Sequence, residues 1–523
     1  MDDNFSSSQH VTKYVRRSNG GIVAAQHARA ARAGAKILAA GGNAVDAAIA
    51  TSFAIGVVEP WMSGPGGGGA MIVRMASQGS AKVINFGMRA PSGLNISDFP
   101  LTGGVSDDLF PWARVADDRN LHGPLSIAVP GLVDGMGLAH QHFASKPWAE
   151  LLAPAIKLAG DGPIVDWYAS LLIASNAPDL DRYELSRRTF LRDGYPLISH
   201  WTAAGDQRID FSLFARTLQR VAEKGPREFY DGALAREIAA DVQALGGCLS
   251  ASDLAGYRAV LLDPLQERHR GTLFNLLPGL TAGPTFRRAL DLLGDGFARG
   301  GDGPSADDFV AYARALQHAY GERLAAMGDV EGPAAQVSTT HFNVVDRHGN
   351  MVAVTQTLLS AFGSKVMLPG SGMLMNNGIM WFDPEQGRPN SLGPGKRCLM
   401  NICPVIAEKD SSLFALGASG GRKILPAVLQ LATFMSAFGM DLETAFRHGR
   451  IDVSGGDLVV ADQVLPQNVR DALAAQFSFN PARRMPFPYF FACPSGVARK
   501  DGENFGMTEI MSPWGDAVSE DGV

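Results

Sequence analysis

The residues best suited to do chemistry stand in one short run, Ser338-Thr339-Thr340-His341-Phe342-Asn343-Val344-Val345-Asp346. Three successive hydroxyls open a strand-like segment there. Cleavage before Thr339 would free an α-amine beside that residue's own hydroxyl, and a reference pKa of about 8 makes such an amine a usable base near neutral pH. One residue would then supply both nucleophile and base. On chemistry alone Ser338, Thr339 and Thr340 compete for the role. His341 invites a hydroxyl-imidazole reading, but alternation along a strand turns its side chain away from its neighbour's and leaves it a structural part.

The elements that must position this run are legible around it. After the polar turn at Gly349-Asn350 the chain alternates through Met351-Val352-Ala353-Val354-Thr355-Gln356-Thr357, which predicts a hairpin of strands 341–345 and 351–357. Further strands are expected at 402–407 and 412–417, the second running through Ala418-Ser419-Gly420-Gly421 into a helix from Ile424 to Phe438. Two successive N–H groups without side chains, at a strand-to-helix turn, are suited to face a developing oxyanion. The loop from Gly328 to Gln336, with Gly332-Pro333, predicts an exposed approach to Ser338.

Upstream, residues 1–19 read as a frayed polar arm, Ala25–Ala40 as a helix stopped by Gly41-Gly42, and Asn43 as the cap of a buried helix that includes Ala47–Val58. The run Gly64-Pro65-Gly66-Gly67-Gly68-Gly69 lacks the Lys-Ser/Thr ending of a phosphate loop and predicts close backbone packing instead. Paired strands are expected at 71–75 and 82–86. A mostly helical stretch follows from Pro130 to Gly256, with 147–160 and 210–224 as its amphipathic members. Strand pairs flanked by helical layers predict an α/β sandwich.

Composition narrows the function classes. Charged residues make up 19% of the chain, apolar ones 46%, and the net charge is −6, which offers no basic footprint for nucleic acid. The longest apolar helix candidate is too short for a bilayer, which needs about twenty apolar residues, so no membrane partner is expected. The polar start, Met1 to His10, does not read as a secretory signal, and Cys248, Cys398, Cys403 and Cys493 lack metal-ligand or disulfide spacing. Free thiols in the cytoplasm are the expectation.

The run Thr339-Thr340-His341-Phe342, with Val344-Val345-Asp346, Gly349-Asn350, Phe362-Gly363, Gly372, Asn376-Asn377 and Phe382, resembles the small-subunit start of the γ-glutamyltransferase family. The resemblance extends over most of the chain in order. It includes Gly41-Gly42-Asn43-Ala44-Val45-Asp46, Gly64 to Gly69, Val129-Pro130-Gly131, Phe229-Tyr230-Asp231-Gly232, Asp253 to Tyr257, Gly393 to Arg397 and Gly417 to Arg422. Many members of that family are exported, which the cytoplasmic reading departs from.

The resemblance implies the four-layer αββα fold of the N-terminal-nucleophile hydrolases. It also implies self-cleavage between Ser338 and Thr339 into a large subunit, 1–338, and a small one, 339–523, that share one core. Thr339 is then the nucleophile, Thr357 the hydroxyl that orients it, and Gly420 and Gly421 the oxyanion site, with no metal or organic cofactor. The chain departs from the family at the substrate end. The carboxylate-binding arginine falls at Gly87, leaving Arg89 as a displaced substitute. An expected asparagine is Leu359, an expected acid is Trp381, and expected serines are Met400 and Asn401. The segment from Phe382 to Lys396 is also short, which implies a more open pocket.

Losing charge partners for a zwitterionic head costs several kcal/mol, of order the penalty for unpaired buried charge. The expected substrate is therefore a small-molecule amide whose acyl part lacks the α-amino acid head, as in the cephalosporin-acylase-like branch. Arg89, Asn376, Asn377, Trp381 and Asn401 are expected to line its site. A γ-glutamyltransferase or glutathione hydrolase is the alternative within the class, and an uncleaved, non-catalytic scaffold the alternative outside it.

Overall fold

The structure is a computed structural model that describes residues 11–106, 112–199, 206–294, 296–299, 303–327, 338–454, 456–487 and 489–523. The expected loop 328–336 and the first ten residues of the expected arm lie outside the described residues.

Two seven-stranded antiparallel sheets stack face to face. In strand order, the first consists of Asp516–Ser519, Ile22–Ala25, Ser338–Val345, Met351–Leu359, Gly68–Arg74, Ala81–Phe86 and Val260–Leu262. The second consists of Arg16–Ser18, Glu503–Thr508, Cys493–Lys500, Ser412–Ser419, Val405–Lys409, Thr272–Leu276 and Leu265–His269. Both sheets draw strands from either side of residue 338. The hydroxyl-bearing run is thus a central strand, held on both edges before any side chain contributes.

Between the sheets lies one apolar layer in which Ile22, Ile72, Val345 and Ala353 meet Ile406, Ala415 and Val497. The outer face of the first sheet is covered by helices Ala28–Ala39, Ala44–Val58, Leu132–Phe143 and Trp148–Asp161. Helices Gly283–Leu293, Ala306–Met327 and Ile424–Ser436 cover the second. The result is the αββα sandwich the resemblance implied.

Helix Ala44–Val58 shows why its sequence demands this place. All fifteen residues are buried, and a helix apolar on every side needs cover all round. Sheet strands lie beneath it, and helices Ala28–Ala39 and Trp148–Asp161 beside it. Its start is fixed by a capping box in which Asn43 receives the N–H groups of Val45 and Asp46 while Asp46 receives that of Asn43. Asp346, in the hairpin turn, accepts the Ala44 N–H at 3.0 Å and the Asn350 amide at 2.6 Å. One carboxylate therefore ties the turn of the central hairpin to the buried helix.

Two expectations are corrected. Residues 16–18 belong to a strand paired with Glu503–Thr508, so the polar arm is anchored from Arg16 onward; three residues that open on two exposed arginines offer no alternation for a periodicity search to find. The strand expected at 402–407 begins at Val405, one residue after Pro404, which has no N–H for a ladder. Among the described residues no helix is long and apolar enough to cross a membrane, and no group of three or more His, Cys, Asp or Glu side chains is placed to hold a metal.

Candidate active site

Thr339 and Thr357 meet at the end of the central hairpin. The Thr339 hydroxyl donates to the Thr357 hydroxyl at 3.2 Å, and the Thr357 oxygen also accepts the Leu359 N–H at 2.8 Å. Both threonines are buried.

The ladder is irregular here. Ser338 pairs with Leu359 and Thr340 with Gln356, so Thr357 and Leu358 together oppose Thr339. A bulge of this kind re-aims side chains, and it brings two hydroxyls on neighbouring strands into contact. Leu359 has φ of +90°, a sterically costly value for a branched residue. That turn aims its N–H back at the Thr357 oxygen.

The glycine run explains how close the neighbouring strand comes. Thr357 pairs with Gly68. A Cβ on Gly67 would stand 2.3 Å from the Thr357 carbonyl oxygen, and one on Gly69 2.2 Å from that of Thr355. The run serves backbone packing against the Thr357 strand, as its sequence predicted.

His341 is structural. Its Nδ1 bonds to the Thr355 hydroxyl at 2.8 Å and its Nε2 to the Asn343 side-chain oxygen at 3.1 Å. Burial pushes the imidazole down to about 3, which keeps it neutral. The ring crosses to the facing sheet, where a Cβ on Gly417 would stand 2.2 Å from it. His27 is held down to about 3 first by burial and then by Arg29, and its Nδ1 caps helix Ala28–Ala39 by accepting the Arg29 N–H.

Each imidazole takes up a proton more readily in the unfolded chain than in the folded one. Their stabilising share is complete above pH 6.5 and is lost towards pH 3 at about 1.4 kcal/mol per pH unit per residue. His27→Asn keeps a capping side chain and is expected to make stability fall less steeply between pH 6.5 and 5. Urea unfolding of both proteins at those pH values checks this, and equal slopes would refute it.

Gly420 and Gly421 follow the strand that His341 touches. Thr339 lies two residues back from His341, and Ser419 two residues on from Gly417. The Gln26 amide, beside the Thr339 strand, donates to the Ser419 hydroxyl and the Cys493 carbonyl, each at 2.6 Å. The glycine turn therefore sits at the end of the inter-sheet layer where Thr339 starts its strand. Gly420 has φ of +131° and Gly421 +57°, values glycine adopts without steric cost. The next turn leads directly into helix Ile424–Ser436, so its positive end adds to the two N–H groups.

The residues expected to bind substrate separate into groups. Asn376 accepts the N–H groups of Ala128 and Gly378 and donates to the carbonyls of Gly66 and Ala128. Asn377 accepts the Ser360 N–H and donates to the Leu121 carbonyl and the Ser360 hydroxyl. Both amides are fully buried and are taken up in fastening loops behind the site. Asn401 receives a 3.3 Å bond from the buried Arg323 guanidinium. Arg89 is exposed and donates through Nε to the Gly395 carbonyl at 2.7 Å.

Trp381 is buried in the inter-sheet cluster with Leu359 and Met400. Three of the positions at which the chain departs from the family pattern are thus buried in one apolar cluster. Gly87 packs closely on Met400: a Cβ there would stand 2.7 Å from the Met400 methyl.

A cavity of about 460 Å³ opens beside Gly87 and Met400 and is lined also by Asn85, Leu280, Arg397 and Cys398. Gly69 pairs with Phe86, so Gly87 continues the row of Thr357 and Gly68. At ordinary strand spacing it lies about 10 Å from Thr357.

Sequence reading missed Arg397, Arg323 and Glu59. Arg397 sits inside the quoted Gly393–Arg397 match, but nothing local marked it as facing a cavity. Arg323 lies near the end of helix Ala306–Met327, where nothing local marks a charged side chain as buried. Glu59 did leave a signal, an acid closing the mostly apolar run Ala47–Val58. It is 5% exposed, accepts the Thr340 hydroxyl at 3.3 Å, and is pushed up to about 8 chiefly by burial.

Comparison with known proteins agrees with this fold. The chain matches the family model described as Gamma-glutamyltranspeptidase over residues 30–338 and 332–478. It is 34% identical over 493 residues to the Acylase ACY 1 proenzyme of Pseudomonas sp. (strain V22), covering 87% of this chain and 86% of that protein. It is 31% identical over 480 residues to the Glutathione hydrolase proenzyme of Escherichia coli (strain K12), covering 82% and 80%. Among solved structures, the cephalosporin acylase from Bacillus halodurans superposes with a TM-score of 0.83 over 99% of both chains at 24% identity, a likeness of fold. The chain is a member of the gamma-glutamyltranspeptidase family.

Proposed function

We propose that this chain cuts itself before Thr339 and then hydrolyses an amide through an acyl ester on the Thr339 oxygen. The observation that carries the reading is the buried Thr339–Thr357 hydroxyl pair at the bulged end of the central hairpin. Family membership makes the chain an amide-cleaving enzyme of the N-terminal-nucleophile type, and proenzyme relatives support the processing step.

In the precursor the Thr339 hydroxyl attacks the Ser338 carbonyl carbon. The C–N bond breaks, the hydroxyl proton ends on the Thr339 nitrogen, and water then cleaves the ester to leave a carboxylate on Ser338 and a free amine on Thr339. In turnover that amine takes the hydroxyl proton as the oxygen attacks the substrate carbonyl, and returns it to the leaving amine. Water repeats the sequence on the acyl ester. Thr357 holds the nucleophile's oxygen in line, and the N–H groups of Gly420 and Gly421 stabilise the oxyanion.

At the departing positions Leu359, Trp381 and Met400 carry no group that could pair with an α-ammonium. The cavity lined by Gly87 and Met400 suits an acyl chain with an apolar body, and Arg397 on its lining, with Arg89 bridged to it through the backbone, would serve a terminal carboxylate. The large and small pieces stay together because each sheet contains strands of both.

A panel of anilides tests this with processed enzyme. A glutaryl anilide is expected to be cleaved with a kcat/KM at least tenfold above that of the γ-glutamyl anilide, the discrimination of about 1.4 kcal/mol that one unpaired buried ammonium readily exceeds. Arg89→Ala is expected to raise KM for the glutaryl compound about threefold to tenfold, a charge-assisted bond's worth at an exposed site, with kcat little changed. Preference for the γ-glutamyl anilide would instead support the glutathione-hydrolase reading, which the Escherichia coli relative keeps in view.

A further inference from the structure

The mechanism above leaves unused a buried acid one residue from the nucleophile. Glu59 caps the C-terminal end of helix Ala44–Val58. Its side chain accepts the Thr340 hydroxyl at 3.3 Å. The turn it begins is docked on the partner strand: the Met62 carbonyl accepts the Leu358 N–H at 3.0 Å, and the Trp61 carbonyl accepts the Phe362 N–H at 2.9 Å. Gln356, which pairs with Thr340, is fastened to the same helix and turn. It accepts the Ser52 hydroxyl at 2.6 Å and donates to the Ser52 carbonyl at 3.1 Å and the Ser63 hydroxyl at 3.0 Å.

Thr339 and Thr357 each lie one residue from a contact with this brace, on the face of the hairpin opposite the inter-sheet layer. We propose that Glu59 is a positioning residue, which together with its turn sets the separation of the Thr339 and Thr357 hydroxyls. The inference rests on Thr339 being the nucleophile.

The surroundings fix the form in which the acid acts. The titratable groups that face Glu59 are Asp166, Tyr168, Tyr489 and Cys493, acids contributed by the cap and first turn of helix Trp167–Leu180, the 489–492 loop and strand Cys493–Lys500. The C-terminal end of a helix also disfavours an anion. With burial as the main cause, Glu59 stays protonated to about pH 8. In that form its carbonyl oxygen accepts from Thr340 without placing a charge behind the nucleophile. A glutamine can accept the same bond and cannot ionise.

Self-cleavage provides a readout that needs no substrate. The full chain is made by cell-free translation, chased at pH 6.5 to 9.5, and followed by denaturing electrophoresis for wild type, Glu59→Gln and Glu59→Ala. Glu59→Gln is expected to cleave within about threefold of wild type at pH 7, since one neutral hydrogen bond replaces another. It is also expected to keep that rate at pH 9.5, where wild type slows. Glu59→Ala is expected to be slower by about tenfold to a hundredfold at every pH, the cost of a small misplacement of reacting groups.

Wild-type rates in Glu59→Ala would overturn the proposal. So would a Glu59→Gln protein that folds and does not cleave, because then a proton and not a position is required. A wild type that itself stays whole contradicts the reading of Thr339 and leaves the brace to thermal melts. There Glu59→Gln is expected to gain on wild type from pH 5 to pH 9, because the buried acid destabilises the fold as pH rises from 4.5 to about 8. A difference independent of pH would overturn the neutral state on which the proposal depends.

Discussion

Thr339→Ala is expected to remain one chain of 523 residues and to hydrolyse no amide. The change removes the only atom the scheme uses to attack, and without attack neither the acyl shift nor the release of the α-amine follows. Loss of a nucleophile that also furnishes the base should cost on the order of 10⁴-fold or more, since groups acting as one unit fail together. The fold should survive. The lost methyl and hydroxyl lie at the end of a strand held on both sides by the Ile22–Ala25 and Met351–Leu359 ladders. Thr339→Ser separates hydroxyl chemistry from side-chain volume and is expected to cleave, more slowly. If Thr339→Ala were cut at the same place as wild type, the nucleophile would have to be Ser338 or Thr340, the two hydroxyls that compete with it on chemistry alone. Thr340 is already engaged with Glu59 on the other face of the strand.

Gly420→Ala is expected to lower kcat by about 10²- to 10³-fold with little change in KM, the usual effect of losing an oxyanion donor. At φ of +131° an alanine is sterically strained, and its Cβ would stand 3.0 Å from the Ala492 Cα. The turn must move, and both N–H groups lose their aim. Gly421, at +57°, occupies the left-handed helical region that other residues enter at about 1–2 kcal/mol. Gly421→Ala should therefore be milder, by at least tenfold in kcat. The contrast gives the test its force, because general destabilisation would depress both variants together and show in their melting temperatures. Near-normal kcat in a folded Gly420→Ala protein would remove the turn from the mechanism.

Much of this was written locally in the chain. The hairpin of Ser338–Val345 and Met351–Leu359, the cap at Asn43 and the strand-to-helix turn at Gly420 depend on neighbours in sequence, where period and glycine placement carry the information. The glycine run at 64–69 was legible as a packing device because it lacked what a phosphate loop requires. What stayed hidden depends on contacts between distant segments. No spacing rule says that Thr357 and Leu358 share the space opposite Thr339, since a bulge is a property of two strands at once. Nor could the sequence say that the Asn376 and Asn377 amides are used up on the Ala128, Leu121 and Ser360 segments. The loss of polar groups was visible as separate departures at Gly87, Leu359, Trp381 and Met400. Only the fold buries Leu359, Trp381 and Met400 in one cluster and turns Gly87 and Met400 to the cavity.

The central claim is that the chain frees its own nucleophile, and the mass of freshly purified wild-type protein under denaturing conditions tests it most directly. The account predicts two pieces that meet between Ser338 and Thr339, the smaller beginning with threonine. A wild type that still measures 55.4 kDa as one chain after long incubation would contradict it and leave the sandwich as an uncut scaffold.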